Sequence, residues 1–204
     1  RGGGPRLDAA SETTVGGRKM SKAVLISIRP EWCKKILDGE KTVEVRRTCP
    51  VHGTPFKAYI YCTRTASKEF ILDDDNWDVS AKKHGGWPGK RGHVIGEFTC
   101  KKITGLTHVG ETGSWESASL YVMAPGSYYK PADELLEAAC MSEETAEKYL
   151  KGRDGCGWHI FDLKIYDHPR PLSDFTRLRA TKFGYEPVRI EQPPQSWFYV
   201  EEKS

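Results

Sequence analysis

Lys41, Glu44 and Arg46 place a cation, an anion and a second cation within one short segment. That set suits a ligand carrying negative charge beside an amino group. Lys41 and Arg46 fit a phosphate or a base carbonyl, and an arginine binds such groups in bidentate fashion. Glu44 can accept from an exocyclic amine such as that of cytosine or adenine, or it can simply hold Arg46 in place. The alternation in Lys41-Thr42-Val43-Glu44-Val45-Arg46 predicts a strand. Val43 and Val45 then share one face, and Thr42, Glu44 and Arg46 share the other. The plain alternative is a solvated strand face with a weak ion pair, worth under about 1 kcal/mol.

Two elements must position this segment. Ala23 to Ile28 is apolar and β-branched enough to be a strand. Arg29-Pro30 closes it, with Pro30 at the first position of a helix over about Glu31 to Asp38, where its missing N–H has no partner to lose. Trp32 and Ile36 turn toward a core, with Cys33 and Leu37 as further candidates, and Lys34 and Lys35 stay in water. Gly39 follows the last periodic residue, where a left-handed cap is wanted. Ser27 and Arg29 at the end of the strand, and Ser196 at the start of a closing strand, fall at the rim of the same site.

The pattern Gly39-x-Lys41-x-x-Glu44-x-Arg46, after a strand and a helix, resembles the G-x-K-x-x-E-x-R signature of the ASCH domain family, a small β-barrel related to the PUA fold of RNA-modifying proteins. The resemblance runs from about Ala23 to Glu201. It implies a PUA-like mixed barrel and a cleft beside the motif. RNA or a modified nucleotide is the implied partner, bound by Ser27, Arg29, Gly39, Lys41, Glu44, Arg46 and Ser196. Some ASCH-like proteins are N4-acetylcytidine amidohydrolases and others are ribonucleases, so a hydrolase is the alternative, with Lys41 and Glu44 as catalytic groups. In the amidohydrolase type a threonine stands three residues after the lysine. Here that place is Glu44, and a carboxylate does not replace a hydroxyl nucleophile without changing the chemistry.

Along the rest of the chain, Phe56 to Thr63, His93 to Ile103, Gly157 to Tyr166 and Ser196 to Val200 read as strands. Gly96 inside the second of these marks a bulge or a tight corner. Pro131 starts one helix, and Ser142 caps another that Gly152 ends. The fold class expected is α+β: about six strands in a mixed barrel, a short helix after the first strand and an inserted helical pair near 131–151. Insertions fall at about 64–92 and 106–151 of a single domain over 20–204. Residues 1–19 are glycine-rich, polar and without periodicity, and read as a disordered lead or tag.

The loop around Lys82, Lys83, Trp87, Lys90 and Arg91 mixes cations, glycines and an aromatic, a composition that touches nucleic acid and also that of any mobile hairpin. The aromatic segment 106–130 supports a third reading, a protein-interaction module. With 31 basic and 28 acidic residues in 204, the net charge of +3 falls short of a strongly basic nucleic-acid footprint, so any such contact is a local patch. No apolar run is long enough to span a membrane. Six scattered cysteines read as reduced thiols of a cytoplasmic protein. Cys49 with His52, and Cys156 with His159, are two CxxH pairs of zinc-ligand type, but a strand turns residues three apart to opposite faces. The acidic run Asp73-Asp74-Asp75-Asn76 lacks the spacing of a calcium loop. No metal or cofactor is expected.

Overall fold

The computed structural model describes residues 14–15, 18–19, 22–51, 53–64, 91–109, 119–124, 128–182 and 184–203. The strands are β1 (Thr14–Val15), β2 (Arg18–Lys19), β3 (Lys22–Ile28), β4 (Val43–Arg46), β5 (Phe56–Cys62), β6 (His93–Val109), β7 (Ser119–Ala124), β8 (Tyr128–Pro131), β9 (Gly155–Arg170), β10 (Thr176–Thr181), β11 (Gly184–Arg189) and β12 (Trp197–Glu201). The helices are α1 (Pro30–Leu37), α2 (Asp133–Ala138) and α3 (Glu143–Leu150), with a 3-10 turn at Leu172–Asp174.

One sheet organises the molecule, in the order β12-β3-β5-β6-β7-β8, with β9 pairing both β6 and β4. β3 and β5 run parallel, which requires a crossover, and α1 with β4 lies in that connection. The other pairs of the sheet are antiparallel. This is a sheet-dominated α+β fold with few helices. The expected barrel of six strands needs correction: among the described residues the pairings do not close into a barrel. β6, 17 residues long, takes β5 on its first half, β7 on its last turn of pairing and β9 alongside. Register shifts around Gly96 let it bend, and a Cβ at Gly96 would stand 2.5 Å from the Lys164 carbonyl oxygen, so the close approach of β9 requires glycine there.

β3 explains why its sequence is apolar on both faces. Val24, Ile26 and Ile28 pack with Ile36, Phe98 and Trp158 in one core layer. Ala23 and Leu25 face Tyr59, Phe175 and Ile190 in another. A third layer joins Val43 and Val45 to Leu106, Leu120 and the apolar faces of α2 and α3. The helical pair is therefore packed onto β4, the strand that bears the motif. Ser142 caps α3 by accepting from the Thr145 amide at 3.2 Å, and Lys151 and Gly152, at φ +57° and +66°, end it.

One other expectation changes. Pro131 belongs to β8 and not to a helix, which starts two residues later. The residues before Arg189 form the β10–β11 hairpin, and β7 pairs with β8. In β7 burial alternates, with Leu120 and Val122 buried and Ser119 and Met123 exposed, while Tyr128 and Tyr129 of β8 are exposed. Thr14–Val15 and Arg18–Lys19 pair antiparallel as β1 and β2.

The thiols also differ from expectation. Cys49 and Cys156 form a disulfide, with Cα atoms 6.3 Å apart. Pairing of β4 with β9 sets Arg46 opposite Cys156 and so delivers Cys49, just past the strand, to that partner. Cys33, Cys62 and Cys100 are free and buried, and Cys140 is free and half-buried. No described helix is long and apolar enough to cross a membrane.

Candidate functional site

The left-handed backbone at Gly39, φ +77°, turns the chain out of α1, and the Lys41 amide bonds the Lys35 carbonyl at 2.9 Å. That turn points Lys41 inward. Its ammonium donates to the Ala139 carbonyl at the end of α2 at 2.7 Å and lies 5.1 Å from the centre of the Trp32 ring. Thr42 donates its amide to Ala138, so the helical pair holds this turn at two points.

β4 is buried along its whole length, because β9 flanks it and α2 and α3 cover its valine face. The polar face is equally enclosed: Lys41, Glu44 and Arg46 are 2%, 4% and 8% exposed. This removes the solvated strand face from consideration. Glu44 lies between the two cations, with Oε1 at 2.7 Å from an Arg46 terminal nitrogen and Oε2 at 3.3 Å from Lys41 Nζ. Arg46 also donates to the Ser27 carbonyl at 2.7 Å, which ties the motif to the end of β3. Within the triad, Arg46 Nε donates no hydrogen bond and Glu44 Oε2 has only the ion pair with Lys41, and both atoms are closed off from solvent. Buried groups in that state are uncommon and costly.

A cavity of about 770 Å³ opens beside this triad. Ser27, Arg29, Lys41, Glu44, Arg46 and Ser196 all line it. Ser27 donates its hydroxyl to the Pro194 carbonyl at 2.7 Å and its amide to Ser196, so β3 and the 191–196 segment form one rim. Gly39 is absent from the lining: it is exposed, and its part is to set the turn before Lys41. Lys82, Lys83, Trp87 and Lys90 lie outside the described residues. Arg91 is half-buried at the foot of β6 and does not line the cavity.

Several lining residues escaped the sequence reading. Trp32 was assigned to the core; it packs against the core yet also forms a wall of the cavity. Met141, Thr145 and Tyr149 form the opposite wall. Their spacing of four residues is a one-face signal that the sequence carries, although nothing in it says that this face meets the motif. Arg64, exposed after β5, adds a cation at the mouth.

Of the two CxxH pairs, His52 lies outside the described residues. Cys49 and Cys156 do meet, but as a disulfide. His159 pairs its Nε2 with the Thr104 hydroxyl at 2.8 Å, and burial, then the charge of Lys102, lower its pKa from the usual histidine value. Among the described residues no three metal-ligating side chains gather.

No protein-family model matches the chain, and no curated protein does. Solved structures do. The chain is similar to ASCH from Zymomonas mobilis. That structure is 19% identical, with 88% of each chain covered and a TM-score of 0.45. Two single-site variants of the same protein are similar at the same identity, with TM-scores of 0.45 and 0.46 over 88% of this chain and 91% and 89% of theirs. ASCH is also the family whose signature Gly39 to Arg46 resembles.

Proposed function

We propose that the protein binds RNA, or a modified nucleotide of RNA, in the cavity beside Lys41, Glu44 and Arg46. The observation that carries this reading is the buried cation–anion–cation set of Lys41, Glu44 and Arg46 on the wall of a cavity of about 770 Å³. A ligand that sets a donor beside an acceptor suits the Glu44 carboxylate and the Arg46 guanidinium together. The edge of a nucleobase that sets an amino group beside a ring nitrogen or carbonyl has that form. Trp32 and Tyr149 supply flat walls for stacking, which favours a base over a bare phosphate. Arg29 and Arg64 at the mouth suit the phosphate that follows the base. The likeness of Gly39 to Arg46 to the ASCH signature, and through it to PUA-like barrels, supports the same ligand class.

Lys41 already spends its ammonium on Ala139, Glu44 and the Trp32 face. That arrangement favours a positioning charge over the free amine or proton carrier that the hydrolase alternative needs.

The test is fluorescence anisotropy with short single-stranded RNA, on wild type, Lys41→Met and Arg46→Gln. Arg46→Gln is expected to bind at least about tenfold more weakly, as the loss of a charge-assisted hydrogen bond worth ~1.5–3 kcal/mol requires, and Lys41→Met to bind more weakly because Glu44 loses the ammonium that positions it. Folded variants with wild-type affinity would overturn the reading.

A further inference from the structure

A second groove, of about 630 Å³, lies beyond the segment Glu191–Pro194, and that segment lines both spaces. Its outer side is the β10–β11 hairpin, which contributes Arg177, Arg179 and Arg189. Val188, Ile190 and Phe198 are apolar parts of its lining. The three arginines differ in how they are engaged. Arg177 rests its guanidinium 5.5 Å from the centre of the Phe198 ring, which fixes the group while leaving its N–H edge for another acceptor. Arg179 pairs with Glu186 across the hairpin. Arg189 is exposed and has no ion pair among the described residues. Glu191 sets one negative charge on the wall between the two spaces.

From this arrangement we infer that the groove carries the phosphodiester backbone of a single RNA strand whose recognised nucleotide sits in the neighbouring cavity. The inference rests on the proposed function, and it extends a one-nucleotide site into a track along the hairpin. Continuity supports it: a strand leaving the cavity at the 191–194 segment meets Arg177 and Arg189 next. Guanidinium chemistry supports it too, since the planar fork matches two phosphate oxygens. A mildly basic chain fits such a local patch, where affinity for a single strand depends on a few phosphate contacts. A hydroxyl or an amide in place of each arginine would hold no counter-charge for that backbone.

The experiment compares the 5′-monophosphates of cytidine and uridine with single-stranded octamers of the same nucleotides, across a salt series. The proteins are wild type, Arg177→Gln/Arg189→Gln, Glu191→Gln and Lys41→Met, each checked for folding by thermal melting. The double arginine variant is expected to bind octamers about tenfold more weakly at low salt. Its log affinity against log salt should be shallower by about 1.4, or roughly 0.7 for each lost phosphate contact on a single strand. Its binding of monophosphates is expected to match wild type, and Glu191→Gln is expected to tighten octamer binding. Octamer affinity and salt slope unchanged in the double variant would overturn the track while leaving the cavity reading intact. Monophosphate binding that is absent in wild type, with octamer binding insensitive to Lys41→Met, would instead overturn the cavity. An octamer displaced equally well by polyglutamate would overturn RNA as the occupant, because the groove would then accept any polyanion.

Discussion

Glu44 is held between two cations in a space where water barely reaches it. A buried charge needs its partners far more than an exposed one does, because the cost of leaving water is several kcal/mol for each ion. Glu44→Ala would leave Lys41 and Arg46 facing each other without compensation. The expected loss is about 3–5 kcal/mol of unfolding free energy, measured by urea denaturation. Glu44→Gln keeps the volume and one acceptor, so it should lose less while still abolishing the charge match for a ligand's amino group. The residue types of the triad were legible because charge and spacing are properties of the chain itself. Their burial was not. The alternation of valines predicts one buried face, and the second face is enclosed only because the 191–196 segment and α3 arrive from far along the chain.

The helical pair α2 and α3 shows how an element can be read correctly and still be undervalued. Its caps and boundaries follow local rules: Ser142 accepts from the Thr145 amide, and Lys151 and Gly152 take the left-handed turn. It first looks like an insertion between strands. In the folded chain it supplies the Ala139 carbonyl that holds Lys41 across 98 residues of sequence, and a wall of the cavity through Thr145 and Tyr149. Ser142→Ala is therefore expected to have two effects. Stability should fall by about 1 kcal/mol, the usual value of such a cap, read from thermal or urea melts. On the proposed function RNA affinity should also fall, because fraying the first turn of α3 loosens Thr145. A stability loss with unchanged affinity would separate the helix from the site. The hairpins β7–β8 and β10–β11 were missed although burial alternates along β7 and β11, because such short strands give too short a run for that period to stand out.

For the molecule as a whole, the Cys49–Cys156 disulfide ties the end of β4 to the start of β9 across 107 residues. A closure of that length constrains the unfolded chain strongly, and the chain-entropy account puts loops near 100 residues at up to about 4.7 kcal/mol, with 2–4 kcal/mol typical. Reduction with dithiothreitol is expected to lower the urea midpoint accordingly. Under unfolding conditions, alkylation should rise from four thiols to six, the four being Cys33, Cys62, Cys100 and Cys140. An unchanged midpoint after complete reduction would show that β4–β9 pairing alone holds that edge. No spacing rule exposed this bond, since cysteine positions do not state their connectivity.

The sequence by itself determined the local pieces: the strand, helix and glycine turn before Lys41, the charges at 41, 44 and 46, and the caps of α3. These depend on backbone preference and on neighbours within a few residues, so a linear chain displays them. Tertiary structure alone decided that both faces of β4 are buried, that the sheet stays open among the described strands, that Cys49 meets Cys156, and that two grooves share the 191–194 wall. Each of those depends on contacts between segments far apart in the chain, where geometry and desolvation act together and no local pattern records the outcome.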